Sequence, residues 1–431
     1  MSEERKLISE RSSYLATALS LYVNFFVHGV GVIAIAQNMG YLMIRYGTDE
    51  AGIANVISGM GAGRFVSYFF TGFLSDKFGR KPMVLLGIFI YILFFLGIAF
   101  SVNIWMAFAF SVLGGVANAC LDTGTYPALM EAYPKTSGSA IIFCKAAVSF
   151  GQMFYPIFVG FLLIHQIWFG YGFLIPATIL LLSAILISRK KFPRMKKGEM
   201  QEAEEKLLCL PTLRHKPYFY FDGILVILYG FAVYMTFHTA LIWLPKYSAV
   251  VAGMSEVTSL KTITYYSIGS LISVFLLGWL VSKLLRPVVV LVISPLLAAL
   301  AILIIYWFPS PLVCNVGSFI IGASVAGGVL QLGLSVLSEF FPNSKAKVTS
   351  FYMLLGSFAN FIVPLITGML FRLDIRYVLL FAGAAGTAAC FLGFIIFLRY
   401  YWMFEIPSMD YRAGEKFFIR KALSHQQTRN I

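Results

Sequence analysis

The chain has 431 residues, of which 59% are hydrophobic and 12% are charged, and its net charge at pH 7 is +14. Soluble domains carry about 25% charged residues, so this composition excludes an ordinary soluble protein. In a membrane protein a basic balance indicates Lys and Arg in cytosolic loops rather than nucleic-acid binding. The five cysteines show no metal-ligand spacing, so we predict neither a metal site nor a disulfide framework.

Long apolar runs recur along the chain. A helix needs about 20 apolar residues to cross a bilayer, and open strands would leave backbone polar groups unpaired in lipid. We therefore predict an all-α membrane protein with twelve transmembrane helices, at residues 14–35, 51–74, 82–101, 104–130, 139–163, 169–188, 220–245, 262–281, 287–308, 311–337, 348–371 and 377–402. The first run is too long for a signal-peptide core, so we expect it to be retained.

The longest polar stretch, residues 189–219, divides these runs into two sets of six. We predict an N-terminal bundle at 1–188, a cytosolic linker at 189–219, a C-terminal bundle at 220–402 and a cytosolic tail at 403–431. With both termini inside, the outer loops hold only five basic residues: Arg45, Lys246, Lys261, Arg372 and Arg376. Almost all other Lys and Arg then lie on the cytosolic side, as the positive-inside rule requires.

A short polar stretch at residues 72–81 lies between the second and third runs. Its distinctive residues are Gly72, Asp76, Lys77, Gly79, Arg80 and Lys81. We predict a ten-residue hairpin in which Asp76 begins the polar turn and Gly79 takes a positive φ, which glycine adopts without strain. Arg80 and Lys81 would lie at the lipid headgroups.

The two halves repeat one another. Ser149, Gln152, Pro156 and Gly160 are matched 208 residues later by Ser357, Asn360, Pro364 and Gly368, and Glu131 with Pro134 is matched at the same offset by Glu339 with Pro342. Residues 278–287 are a decayed copy of the 72–81 stretch. Several coincidences at one offset indicate duplication, and two repeated bundles with a site between them suit alternating access.

The pattern at 72–81, G-x-x-x-D-[RK]-x-G-R-[RK], resembles the signature between helices 2 and 3 of the major facilitator superfamily. The resemblance implies a secondary transporter of two pseudo-symmetric six-helix bundles, in which helices 1, 4, 7 and 10 line a central cavity and helices 2, 5, 8 and 11 join the halves. More narrowly, residues 121–134 and 326–333 resemble a subgroup of bacterial inner-membrane facilitators without a settled substrate. The chain is also similar, at a distance, to the sugar and aromatic-acid proton symporters. The resemblance also implies a monomer in the inner membrane whose partners are a small solute and protons.

Three charged residues lie well inside predicted spans, away from their ends: Asp122, Arg64 and Lys145. Such residues are costly in lipid and usually face the protein interior or a wet cavity. Asp122 shares a helix face with Asn118 and Thr125. It is either the group that carries the coupling proton or half of a static ion pair.

The two cations also have alternative roles. Arg64 is either the partner of Asp122 or a contact for a substrate anion. Lys145 binds a substrate carboxylate, serves as counter-ion to Asp122, or extends its side chain to the inner headgroups.

The remaining candidates are polar residues at helical spacing. His28 could titrate near neutral pH, and we take it as a second proton-coupling candidate. The predicted substrate-binding residues besides Lys145 are Asn24, Asn118, Gln152, His238, Gln331 and Asn360.

We find no P-loop and no Ser-His-Asp set, so we predict no enzyme activity and no cofactor. The favoured function is proton-coupled uptake of a small polar organic solute, either a carboxylate or a polyol. The first alternative is a proton-driven exporter of amphipathic compounds, whose helix-5 motif this chain matches only in part. The second is a membrane sensor without transport, which would usually carry an additional soluble domain.

Overall fold

The computed structural model describes residues 2–133, 136–193, 215 and 217–404. The predicted linker and tail therefore lie largely outside the described residues. Within the described part the chain forms twelve long helices: α1 (Ser2–Gln37), α2 (Glu50–Phe78), α3 (Arg80–Phe100), α4 (Ile104–Ala132), α5 (Ser137–Ile164), α6 (Tyr171–Ser188), α7 (Ile224–Val250), α8 (Glu256–Lys283), α9 (Pro287–Trp307), α10 (Pro311–Phe340), α11 (Lys345–Leu373) and α12 (Ile375–Met403).

Eleven helices of the described chain are long and apolar enough to cross a membrane. The helix outside that group is α2, which carries Arg64 in its middle and Asp76 and Lys77 near its end. It is nevertheless 29 residues long and packs along both α4 and α11. Polar residues on such a helix are sheltered by its neighbours. The predicted twelve-helix architecture is confirmed.

The predicted ten-residue turn at 72–81 is wrong in its extent. Residues up to Phe78 belong to α2, and α3 begins at Arg80, so Gly79 alone separates the two helices. Gly79 has a φ of 94°, and its N–H donates to the carbonyl of Ser75. This backbone conformation is strained for any residue with a Cβ, so one glycine is enough to reverse the chain.

Three other boundaries differ from the predictions. The tenth span is not continuous, because a π-helical turn (Gly322–Ala326) and Gly328, with a φ of 121°, interrupt α10. The seventh helix continues through Pro245 to its end at Val250. A short helix (Met39–Tyr46) between α1 and α2 was not predicted, since eight residues are too few for a clear periodicity.

The repeated motifs occupy equivalent places in the two halves. Gly160 of α5 packs against Val257 of α8, and Gly368 of α11 packs against Ala51 of α2. Nearer the start of α5, the Ser149 hydroxyl lies 3.2 Å from the Ser270 hydroxyl of α8. The halves therefore meet along two seams, α5 with α8 and α2 with α11, which agrees with the predicted role of these helices.

Candidate functional site

A hydrogen-bonded group of three side chains lies in the N-terminal half. The guanidinium of Arg64 (Nη2) is 2.7 Å from Oδ2 of Asp122, and the Tyr68 hydroxyl donates to the same oxygen at 2.6 Å. Arg64 also donates to the Tyr68 hydroxyl at 3.0 Å. The side chain of Asp122 is only 8% exposed and that of Arg64 is 19% exposed. We call Arg64, Tyr68 and Asp122 the central cluster.

Close packing of α2 against α4 brings the cluster together. A Cβ at Gly115 of α4 would overlap the backbone carbonyl of Met60, and one at Gly63 of α2 would overlap that of Val112. Glycines at such contacts let two helix backbones approach closely. Tyr68 lies one turn after Arg64, so both side chains share the face that meets α4.

The C-terminal half also reaches the cluster. Tyr234 of α7 lies within interaction distance of the Arg64 guanidinium. His238 follows one turn later, and its ring centroid is 5.6 Å from that of Tyr234. His238 is 3% exposed, and its Nε2 has no hydrogen-bond partner among the described residues. Arg64 is therefore placed where the two halves meet.

Lys145 lies near His28 and the central cluster without joining it. Its charge acts on His28, as do those of Asp122 and Arg64. Among the described side chains, however, none lies within ion-pair distance of its ammonium group, so the proposed counter-ion role towards Asp122 does not hold in this structure. Arg64 occupies that place instead.

Two of the other predicted residues on the N-terminal half differ in their surroundings. Asn24 is fully buried; its Oδ1 accepts from the Ser183 hydroxyl of α6 at 2.6 Å, and its Nδ2 has no hydrogen-bond partner among the described residues. His28 is stacked on Phe25 at 5.5 Å, and its Nδ1 has no partner among the described residues.

Asn118 lies one turn before Asp122 and is fully buried, and both atoms of its amide lack a hydrogen-bond partner within the described chain. Gln152 and Asn360, the repeat-related pair, are each 6% exposed. Gln331 is exposed on the second segment of α10. The structure thus gathers Asn118 and His28 near the central cluster and leaves Gln331 on an open face.

Tyr68 and the contact made by Tyr234 were not predicted from the sequence. Tyr68 stands four residues after Arg64, a spacing that could have indicated the bond. Tyr234 had no comparable signal, because its approach to Arg64 depends on how the two halves pack.

The signature residues form a second polar group at the end of the bundle marked by Gly79, which we call the signature end. Arg80 lies 2.9 Å from Asp76 and 3.1 Å from Glu131 of α4, and it also donates to the Ser75 hydroxyl. Lys81 donates to the carbonyl of Ser188 at the end of α6 and to that of Lys190 just after it. Lys77 lies over the Phe78 ring, and open space surrounds Gly72.

Comparison with known proteins decides the family. The chain matches the family model of the Major Facilitator Superfamily over residues 19–364 and 262–402. The chain belongs to the Major Facilitator Superfamily. It is 47% identical over 405 residues to inner membrane transport protein YdiN of Escherichia coli (strain K12), covering 94% of this chain and 95% of that protein. It is 37% identical over 389 residues to inner membrane transport protein YdiM of the same strain, covering 90% and 95%.

The fold of this superfamily member is also that of a solved transporter. The D-xylose-proton symporter aligns with a TM-score of 0.70 at 16% identity, covering 88% of this chain and 97% of that chain. At that identity the likeness shows the fold alone. Family and relatives together make the chain a multi-pass membrane transporter and not an enzyme.

Two ion pairs join the halves of the transporter at the end opposite the signature end. Arg372 of α11 lies 2.7 Å from Asp49, and Lys246 of α7 lies 2.8 Å from Glu50. We call these two pairs the latch. At the signature end, the ion pairs of the described side chains, such as Arg399 with Asp222, stay within one half. The structure is therefore held closed at the opposite end.

We expect loss of the latch to open the opposite end. The double variant Lys246→Gln and Arg372→Gln should raise the labelling rate of a cysteine placed at Asn118 by an impermeant maleimide severalfold, because each pair favours only the closed state. With Arg372→Gln retained, the charge exchange Glu50→Lys with Lys246→Glu restores one pair and should return the rate towards that of the parent. An unchanged rate in the double variant would show that packing alone closes this end.

The Asp49–Arg372 pair of the latch should not respond to physiological pH. Arg372 holds the pKa of Asp49 below its ordinary value of 3.8. Because the pKa of Asp49 is lowered, the stabilisation that this pair gives is complete above the ordinary value of 3.8. It is lost only as the pH falls through the lowered pKa. Any pH dependence of transport near neutrality must then come from other groups.

The signature end allows a matched test of Asp76. We expect Asp76→Asn to leave the protein folded and to slow transport, because the Asp76 side chain is 52% exposed and Arg80 keeps Glu131 and Ser75 as partners. Proteoliposome uptake rates measure the effect, with Lys261→Gln near the start of α8, outside the signature residues, as the control. If Asp76→Asn transports at the wild-type rate, Asp76 serves only as a contact at the helix end and has no role in transport.

Proposed function

We propose that this transporter is a proton-coupled symporter of a small organic anion with hydroxyl or carbonyl groups. The observation that carries the proposal is the central cluster beside Lys145, whose ammonium group has no ion-pair partner among the described side chains. Arg64 and Asp122 neutralise each other, so Lys145 leaves the region with one excess positive charge. A site with an uncompensated cation favours a carboxylate over a neutral polyol or a cation.

The cluster supports linked binding of solute and proton. Asp122 accepts hydrogen bonds from Arg64 and Tyr68 while it is charged. A carboxylate solute that draws Arg64 away removes the counter-charge, and the buried Asp122 then favours its protonated form. Each ligand therefore strengthens binding of the other, since linkage is reciprocal.

Polar groups without partners suit the rest of the solute. The Asn118 amide, Nδ1 of His28 and Nε2 of His238 are buried and lack hydrogen bonds among the described residues. Buried polar groups are rarely left unpaired. Hydroxyl or carbonyl groups of a bound solute would satisfy them.

Uptake into proteoliposomes tests the proposal. Labelled mono- and dicarboxylates, sugars, polyols and amphipathic cations are compared with and without an inward pH gradient. We expect accumulation of a carboxylate that requires the gradient. Accumulation of a neutral sugar in preference to acids would overturn the substrate class, and proton-driven extrusion of amphipathic cations would favour an exporter.

We also propose that the signature end and both termini face the cytosol of an inner membrane. The Lys and Arg bias supports this orientation. In intact cells, an impermeant reagent should label Lys261→Cys near the start of α8 and should not label Lys197→Cys, which lies outside the described residues. The reverse result would invert the topology.

A further inference from the structure

A separate cavity lies between the two halves at the opposite end. Its volume is about 290 Å³. The N-terminal half contributes Ala36, Gln37, Met39 and Gly40, and the C-terminal half contributes residues of α7 and α8 that include Lys246 and Glu256. The cavity is therefore present only while this end is closed.

One wall of the cavity carries an unsatisfied amide. Gln37 is 4% exposed, and both its Oε1 and its Nε2 lack a hydrogen-bond partner in the described part of the chain. A buried amide without partners is unfavourable, because no hydrogen bond repays the loss of its hydration. Both atoms have almost no accessible surface in this structure, so a rotation of the Gln37 side chain towards the cavity on binding would let an occupant donate to the amide and accept from it.

The charge of the lining is negative. Lys246 is neutralised by Glu50 at 2.8 Å. Glu256 forms no ion pair among the described side chains, and its carboxylate reaches across from the C-terminal half to lie against Gly40 of the other half. One excess negative charge beside apolar walls such as Ile242, Pro245 and Leu260 suits a cation with an apolar body.

We propose that this cavity is a second binding site, for a small organic ammonium compound, and that its occupant holds the opposite end closed. The occupant contacts walls from both halves, so opening would break its contacts. Binding to one state alone shifts the equilibrium towards that state. The proposal does not depend on the transported solute, since its test measures binding and labelling without transport.

The probe is 2-phenylethylammonium, and 2-phenylethanol is its neutral counterpart of nearly the same shape. By isothermal titration of the detergent-solubilised full chain, we expect saturable binding of the ammonium and at least tenfold weaker binding of the alcohol. Glu256→Gln should weaken ammonium binding at least tenfold, and Gln37→Leu should weaken it severalfold. Asp374→Asn removes a negative charge from the start of α12 and should leave the affinity within twofold.

A separate measurement tests whether the occupant holds the opposite end closed. A cysteine at Ala249, which lines the cavity, should react with a maleimide at least fivefold more slowly in the presence of the ammonium probe. A cysteine at Asn118 labelled from the opposite end should be protected as well. Equal binding of the two probes, or equal binding to wild type and Glu256→Gln, would overturn the site, and protection at Ala249 without protection at Asn118 would overturn the closing role.

Discussion

We expect Asp122→Asn to abolish solute accumulation driven by a pH gradient while solute exchange at equal pH continues at a rate within about threefold of wild type. The amide oxygen still accepts hydrogen bonds from Arg64 and Tyr68, which lie 2.7 Å and 2.6 Å from the native Oδ2. The amide cannot gain or lose a proton near neutral pH, so it resembles the protonated carboxyl. Proteoliposomes loaded with unlabelled solute measure exchange, and a pH gradient across otherwise empty vesicles measures accumulation.

Asp122→Glu is the matched variant, because it keeps a titratable carboxyl at the same helix position. We expect it to retain part of the gradient-driven accumulation. If accumulation survives in Asp122→Asn, the proton is carried elsewhere, with His28 the next candidate. If accumulation and exchange both vanish in a folded protein, Asp122 binds the solute or stabilises the structure and does not couple protons.

Lys145→Met should weaken binding of the anionic solute by about 10- to 150-fold. Hydrogen bonds to charged groups contribute roughly 1.5–3 kcal/mol, and each 1.4 kcal/mol is a factor of ten in affinity. Methionine keeps much of the apolar stem of lysine, so the change removes the charge with little loss of packing. Equilibrium binding of the solute to purified protein measures the effect.

Two controls separate this role from a structural one. Lys261→Met makes the same substitution near the start of α8 and should leave affinity unchanged. A neutral analogue of the solute, with an amide in place of the carboxylate, should bind wild type and Lys145→Met equally. Equal loss for the acid and the amide would mean that Lys145 shapes the cavity without binding the carboxylate.

Much of the architecture was predictable because the bilayer constrains sequence directly. Apolar runs long enough to cross hydrocarbon marked most of the helices, and the repeat at an offset of 208 marked the two halves. Helix α2, which lies outside the eleven most apolar spans, was also found, since Arg64 is the single charged residue of its predicted span at 51–74. Two of the errors fell where glycine acts locally: Gly79 shortened the turn to one residue, and Gly328 accompanies the break in α10.

The central cluster was predictable in part. Charged residues in lipid are rare enough that Asp122 and Arg64 stood out, and their membership in one bundle favoured a pair. The environment of Lys145 was not predictable, because α5 is apolar on several faces and its rotation about its own axis leaves little trace in sequence.

The sequence by itself determined which segments cross the membrane, how the halves repeat and which residues bear charge inside the bilayer, because each of these depends on the local chemistry of a segment in lipid. Only the tertiary structure decided the contacts between the halves. Asp49 and Arg372 are separated by 323 residues along the chain and yet are paired, and Gln37 and Glu256 line one cavity from opposite halves. Such contacts arise from the rotation and packing of whole helices, which no local pattern of residues specifies.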